Sequence, residues 1–194
     1  LTGGGLNDTL RSGGGVDVVD GGAGVDVWSA DLSVLTSGAT IDLGTASSFG
    51  AGGSVVSMEG FGVFTGSGFD DTIVSTNLAV FAEQVNGGGG DDFIRLFGKG
   101  DDTVAGGEDF DTLSVLFGAD VGSTGISSFS GALAGGYTGY YDGPGSDNIS
   151  FFTIEQFELV YGGVGTVSFQ TGDGDDTLTG GGLNDTLRSG GGVD

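Results

Sequence analysis

One spacing constrains this chain more than anything in its composition. Asp8, Asp17 and Asp26 stand nine residues apart, and two places after each comes an apolar residue: Leu10, Val19 and Trp28. The stretch Gly21-Gly22-Ala23-Gly24-Val25-Asp26-Val27-Trp28-Ser29 carries the full pattern: glycine, glycine, any, glycine, any, aspartate, any, large apolar, any. Near the other end Asp176, Asp185 and Asp194 keep the period, with Leu178 and Leu187 in the apolar slot. In the middle Asp92, Asp102 and Asp111 keep it with a slip of one residue, followed by Ile94, Val104 and Leu113. Self-similarity at a fixed short period marks a stacked repeat architecture.

The spacing has a physical reading. Glycines let the backbone take positive φ and fold into a tight turn whose carbonyls point inward. The aspartate adds a carboxylate at the end of the turn. The next three residues make a minimal strand whose large apolar side chain enters a core. Two nonapeptides then form one coil, so turns eighteen residues apart stack on one edge. Asp8 falls over Asp26, Asp176 over Asp194, and Asp92 nearly over Asp111. Calcium takes about six to eight oxygen ligands, and an ion between each stacked pair is expected, several per chain.

With these residues the chain resembles the RTX (repeats-in-toxin) family of secreted bacterial proteins, over about a third of its length. Met58-Glu59-Gly60-Phe61 and Ile154-Glu155-Gln156-Phe157 are similar to the Ile-Glu-Asn segments between RTX blocks in large adhesins. The expected fold is all-β: a right-handed parallel β-solenoid (β-roll or β-helix), continuous over 1–194, with calcium bound in the Gly/Asp-rich turns. Calcium-binding blocks are expected at about 1–29, 87–114 and 171–194. The expected carboxylate ligands are Asp8, Asp17, Asp26, Asp71, Asp92, Asp102, Asp111, Asp176, Asp185 and Asp194. Carbonyls of the second and fourth turn positions complete them: Gly13, Gly15, Gly22, Gly24, Gly88, Gly90, Gly98, Gly100, Gly107, Gly172 and Gly174. Asp71 stands in a degenerate turn, 65–73, and reads either as an isolated ligand or as a solvated turn residue. In Asp91-Asp92 and Asp101-Asp102 the second acid takes the ligand slot, and the first reads as solvated or turned to an outer group. Departures from the motif at Leu6, Ser12, Asp109, Leu183 and Ser189 mark turns that hold calcium less tightly or not at all.

Composition narrows the function. Acids number 27 against 4 bases, a formal charge of −23. Such a balance usually means a disordered tail, but 10% aromatic residues and regular apolar spacing argue for a packed core. The charge reads as ligand charge awaiting metal. It opposes binding to nucleic acid or an anionic membrane, and no apolar run reaches membrane-spanning length. Cysteine is absent, so neither disulfides nor thiolate sites are available. Histidine is absent too, which removes Ser-His-Asp catalysis and histidine-zinc sites together. The chain is expected not to be an enzyme.

The ends carry a further signal. Residues 1–17, LTGGGLNDTLRSGGGVD, recur identically as 178–194. The expectation is a tandem array with a 177-residue unit, of which this chain is one unit, 1–177, and the start of the next. Glu59 and Glu155 are equivalent at an offset of 96, so the unit itself reads as doubled: a metal-binding block and a metal-free spacer, twice. In the spacers, 39–43, 54–58, 149–161 and 164–169 read as strands, and 76–86 as plain strand or loop. Residues 118–148, with Tyr137, Tyr140, Tyr141 and the single proline Pro144, read as a loop leaving the solenoid, with irregular packing of the tyrosines over the sheet preferred to sugar or partner binding. Three functions follow: a calcium-rigidified structural module of a secreted adhesin, surface-layer or filament protein; a non-catalytic piece of an RTX exoenzyme; or a sugar- or partner-binding module on the tyrosine loop. The first is the reading adopted. Its expected partners are identical units stacked head to tail, with cell-surface or glycan targets met through other parts of the protein. The resemblance further implies a chain kept unfolded in a calcium-poor cytosol until export.

Overall fold

The computed structural model describes the chain apart from residues 79–80, 119–123 and 144–146. Twenty strands and no helix occur among the described residues. Numbered along the chain, the largest sheet runs in the order β2 (Thr9–Gly14), β4 (Val27–Asp31), β8 (Gly60–Thr65), β10 (Gln84–Gly89), β12 (Asp101–Glu108), β16 (Asn148–Ile154), β15 (Tyr137–Asp142), β14 (Thr124–Gly131), β18 (Val167–Gln170) and β20 (Thr186–Arg188). A six-stranded sheet runs β5 (Thr40–Asp42), β9 (Thr72–Val74), β11 (Phe93–Phe97), β13 (Thr112–Phe117), β17 (Gln156–Tyr161) and β19 (Thr177–Thr179). The last sheet is β1 (Thr2–Gly4), β3 (Val18–Gly22), β7 (Gly53–Val56) and β6 (Ser47–Phe49). Through the calcium-motif blocks the chain alternates between the ten-stranded sheet and one of the shorter two. That is the winding of a β-roll.

Neighbouring strands pair in parallel except around β6–β7 and β14–β15–β16. The nine-residue period sets the register: Thr9 pairs with Val27, eighteen residues on, and Phe93 with Thr112, nineteen on. The apolar slot fills the core, because alternate side chains of a strand face opposite ways. Val19, Trp28, Ile73, Ile94, Val104 and Leu113 are all fully buried.

The spacers continue the stack, in wider coils. Val18 pairs with Ser54, Thr112 with Gln156, and Asp101 with Asn148, forty-seven residues on. Excess chain in these coils folds back on the roll. Ser47–Phe49 turns through Gly50 and Gly52, both at positive φ, and lays Phe49 5.7 Å from the Trp28 ring. Expected strands 39–43 and 164–169 match β5 and β18, whereas 54–58 stops at Val56 because Ser57 turns at φ 55°. Residues 149–161 form two strands, broken at the corner residue Glu155, and among the described residues of 76–86 strand begins at Gln84.

The reading of 118–148 as a loop leaving the solenoid is overturned for its described residues. Thr124–Gly131 and Tyr137–Asp142 make an antiparallel hairpin built into the large sheet between β16 and β18. Pro144 lies outside the described residues. Tyr137 and Tyr141 are buried, with Tyr141 5.1 Å from the Phe151 ring and 6.0 Å from Phe169. The glycine between these tyrosines leaves room for a neighbouring ring: a Cβ on Gly139 would come inside 3.0 Å of Phe151. Both tyrosines belong to the core and present no face to a sugar.

Candidate metal centre

The glycine-aspartate turns ending at Asp26, Asp92, Asp102, Asp111, Asp185 and Asp194 each carry a carboxylate that reaches across to the neighbouring coil. Asp26 Oδ1 accepts from the Asp8 N–H at 2.7 Å, Asp92 Oδ1 from the Asp71 N–H at 2.8 Å, and Asp111 Oδ1 from the Asp92 N–H at 2.9 Å. Asp194 Oδ1 accepts from the Asp176 N–H at 3.2 Å, and Asp185 Oδ1 from the Val167 N–H at 2.9 Å. The turn carboxylates thus form ladders along two edges of the roll, one leading into the ten-stranded sheet and one into the six-stranded sheet, with Asp8–Asp26, Asp92–Asp111 and Asp176–Asp194 stacked as the spacing predicts.

A second row runs the opposite way. Here the earlier turn accepts from the later one: Asn7 Oδ1 from the Val25 N–H at 3.0 Å, Asp70 from Asp91 at 3.0 Å, Asp91 from Phe110 at 3.0 Å, and Asp175 from Val193 at 2.8 Å. The residue before the ligand slot is therefore tied to the next turn's backbone, and Asp91, though exposed, takes the second of its two expected roles. Each such pair of turns is cross-linked in both directions.

The inner carboxylates keep one oxygen for something else. Oδ2 of Asp26, Asp92, Asp102, Asp111 and Asp176 is buried without a hydrogen-bond partner. A bare buried carboxylate oxygen is strongly unfavourable unless a cation or donor meets it. Among the described residues the one ion pair is Arg95–Glu158 at 2.8 Å, so no side-chain cation serves the turns. Burial pushes Asp92 and Asp102 up to about 8 and Asp111 to about 7, with neighbouring carboxylates adding to the rise. Burial likewise raises Asp71 and Asp176.

Glycine at the first turn position makes the arrangement possible. A Cβ on Gly87 would come inside 3.0 Å of both Asp92 Oδ2 and the Gly106 carbonyl; on Gly106 it would meet Asp111 Oδ2 and the Thr153 carbonyl in the same way. Carboxylate and carbonyl oxygens of successive turns thus converge where no side chain stands. Among the described residues no three acidic groups gather in one place, so the remaining ligands of any ion would be backbone carbonyls. That mixed, all-oxygen donor set fits calcium. These residues would hold the ion and position its ligands, and the ion would supply the compensating charge between coils.

The sequence matches the model of the RTX calcium-binding nonapeptide repeat four times, at residues 1–27, 81–96, 98–125 and 158–194, together more than half of the chain. The chain belongs to the RTX calcium-binding nonapeptide-repeat family. Among curated proteins none matches it. The RTX turns at Asp8, Asp26, Asp92, Asp111, Asp176, Asp185 and Asp194 all enter the ladders described above. Asp71 lies outside the matched ranges, yet it is 2% exposed and accepts from the Ala39 N–H at 2.6 Å, so the reading of it as a solvated residue is corrected. Asp17 is the half-buried exception: the coil above it pairs Val18 with Ser54 and so brings Gly53, not an acid, over Asp17.

The carbonyl positions divide as well. Gly15, Gly22, Gly24, Gly88, Gly90, Gly100 and Gly107 hold positive φ, as tight turns require. Gly13 faces open space. Gly98 is packed under the Phe117 ring and Gly172 under Tyr137, the Gly172 carbonyl accepting from the Gly190 N–H at 2.8 Å. The Gly174 carbonyl lies against Gly192 of the next turn.

Glu59 and Glu155 stand at repeated corners, as their offset of 96 implies, but three ladder bonds were not legible in the spacing, theirs and that of Glu83. Glu59 Oε2 accepts from the Asp26 N–H at 2.7 Å and Glu155 Oε2 from the Asp111 N–H at 2.9 Å, where the next coil offers no aspartate. Two residues on, the Phe61 and Phe157 N–H groups donate to Glu83 and Asp176. The two glutamate corners, preceded by Ser57 and Thr153 at φ 55° and 50°, thereby splice one block's ladder to the next. Glu83 itself is the third; it stands nine residues before Asp92 with Val85 in the apolar slot, and that phase was its only signal.

Replacing Asp92 with Asn keeps an acceptor for Asp71 but removes the charge between two laddered turns. D92N is expected to lower the number of bound calcium ions measured by titration calorimetry, while D17N leaves it nearly unchanged. Equal losses would refute the ranking.

Proposed function

We propose that this chain is a structural unit of an exported tandem-repeat protein of the adhesin, surface-layer or filament kind. In this reading calcium folds and stiffens it, and neighbouring units stack on it head to tail. RTX repeat proteins are typically secreted by type I systems, which fits a module that meets abundant calcium only outside the cell. One observation carries the tandem reading. The repeated segment 178–194 pairs with the preceding strands, Phe169 with Leu187 and Leu159 with Leu178, in the same parallel register used inside the unit. Its aspartates accept from the coil beneath, as Asp26 does from Asp8. The passage into the second copy of the repeat is thus bonded like any other step of the roll.

The support for a structural rather than a ligand-recognising role is the burial of Tyr137 and Tyr141 in the core. Sedimentation of the whole chain at rising concentration tests the stacking. Association that grows with concentration in calcium and vanishes in chelator is expected. A strictly monomeric species under both conditions would mean that units do not bind end to end.

A further inference from the structure

On the edge of the roll that carries Asp102, the Glu83 carboxylate stands outside every glycine turn. Glu83 is fully buried. Its Oε1 accepts from the Phe61 N–H at 2.7 Å and from the Ser75 hydroxyl at 2.5 Å, while Oε2 is buried without a partner. On the next coil Asp102, 2% exposed, accepts from the Glu83 N–H with Oδ1 at 2.9 Å, and its Oδ2 is equally bare. Two acidic side chains therefore lie one ladder step apart, each with an oxygen sealed from water. Lys99, on the Asp102 turn, directs its Nζ to the Asn77 carbonyl at 3.3 Å.

At Phe81 and Glu83 the backbone stands to the Asp102 turn as the calcium turns stand to one another, although 81–83 contains no glycine. Gly100, at φ 90°, lies so close to the Phe81 carbonyl that a Cβ there would come inside 3.0 Å of it. Gly24 stands in the same relation to the Leu6 carbonyl, and Gly192 to that of Gly174. Phe81 precedes Glu83 by two residues, as Leu6 precedes Asp8 and Gly174 precedes Asp176. Phe81 and Glu83 are thus stacked on Gly100 and Asp102 as the matching residues of one glycine turn are stacked on another.

We propose that Glu83 and Asp102 together hold a further divalent cation, calcium by their all-oxygen donor set, with Glu83 in the place that aspartate takes elsewhere. The inference rests on the calcium-binding reading of the chain and adds a site that the glycine-aspartate pattern does not mark. The Phe61 N–H and the Ser75 hydroxyl fix one glutamate oxygen and leave the other for the ion. The carbonyl of Phe81 is the nearest backbone donor that the stacking brings to this step.

Calcium bound to the whole chain, counted by titration calorimetry, tests it. In E83Q the amide oxygen still accepts from Phe61 and Ser75, so the ladder is kept while the charge is lost. E83Q and D102N are each expected to bind one ion fewer than the natural chain, and the double variant also one fewer, not two. An unchanged count in E83Q overturns the proposal. Should E83Q fail to fold in calcium, crystals of the natural chain grown with calcium decide it. A calcium peak at about 2.3–2.6 Å from Glu83 Oε2 and Asp102 Oδ2 supports the site, and its absence overturns it. A natural chain that binds no calcium would refute the calcium reading as a whole. One that binds several ions, with E83Q binding as many, refutes this site alone.

Discussion

In excess chelator at pH 8 the chain is expected to lose its β-sheet circular dichroism, and to regain it when calcium is restored. At a formal charge of −23, self-repulsion opposes compaction, and the bare inner oxygens of Asp92, Asp102 and Asp111 face one another's coils. Metal binding becomes folding free energy, because the unfolded chain has no preformed site. The pH dependence without metal follows from the direction of the shifts. Burial first, then neighbouring acids, raises Asp92 and Asp102 from 3.8 to about 8, and Asp111 to about 7. The metal-free fold therefore holds protons that the unfolded chain releases. Its stability falls as pH rises from about 4 to about 8 and levels off above. Chelator should thus remove less structure at pH 5 than at pH 8. With calcium the dependence reverses, since the ion displaces those protons. A native spectrum that persists in chelator at pH 8 would sink the calcium-folding reading.

Gly87→Ala and Gly106→Ala are expected to destabilise the calcium-loaded chain by about 3 kcal/mol each. The methyl group would meet a carboxylate and a backbone carbonyl inside 3.0 Å at both positions, and neither oxygen can move without opening the ladder. Gly13→Ala, placed where nothing lies within 4 Å, should change stability by less than about 0.5 kcal/mol. Urea unfolding in saturating calcium measures all three. Similar midpoints for Gly13→Ala and Gly87→Ala would show that first-position glycines serve flexibility and not close approach.

The nine-residue phase made the roll, its edges and its core slot readable, because each depends on residues close in sequence. What it left out depends on which coil lies above. Asp17 follows a turn with three glycines and Asp71 a degenerate one, yet Asp71 is the buried, laddered residue. The difference lies in their neighbours: Asp71 is bonded to Ala39 on one side and to the Asp92 carboxylate on the other, whereas Gly53 lies over Asp17. Motif completeness is a local property, and ladder membership is not. The same reason hid the ladder bonds of Glu59 and Glu155, whose longer side chains reach an N–H from corners that hold no glycine-aspartate turn. The hairpin of Thr124–Gly131 and Tyr137–Asp142 was hidden by composition, since a stretch rich in glycine and serine reads as loop until its tyrosines find a core.

The unequal coils have a mechanical consequence. A pull along the axis of the roll acts on its coils in series, because each contacts only its neighbours. Releasing a narrow coil, from Thr9 to Val27, frees eighteen residues, about 60 Å of extended chain. Releasing the wide coil from Asp101 to Asn148 frees forty-seven, about 160 Å. The narrow steps are pinned by carboxylate bonds running both ways, whereas the wide ones store slack in folded-back hairpins. A filament built from such units would carry its shock absorbers at regular intervals, in the stretches where the glycine-aspartate pattern falls silent.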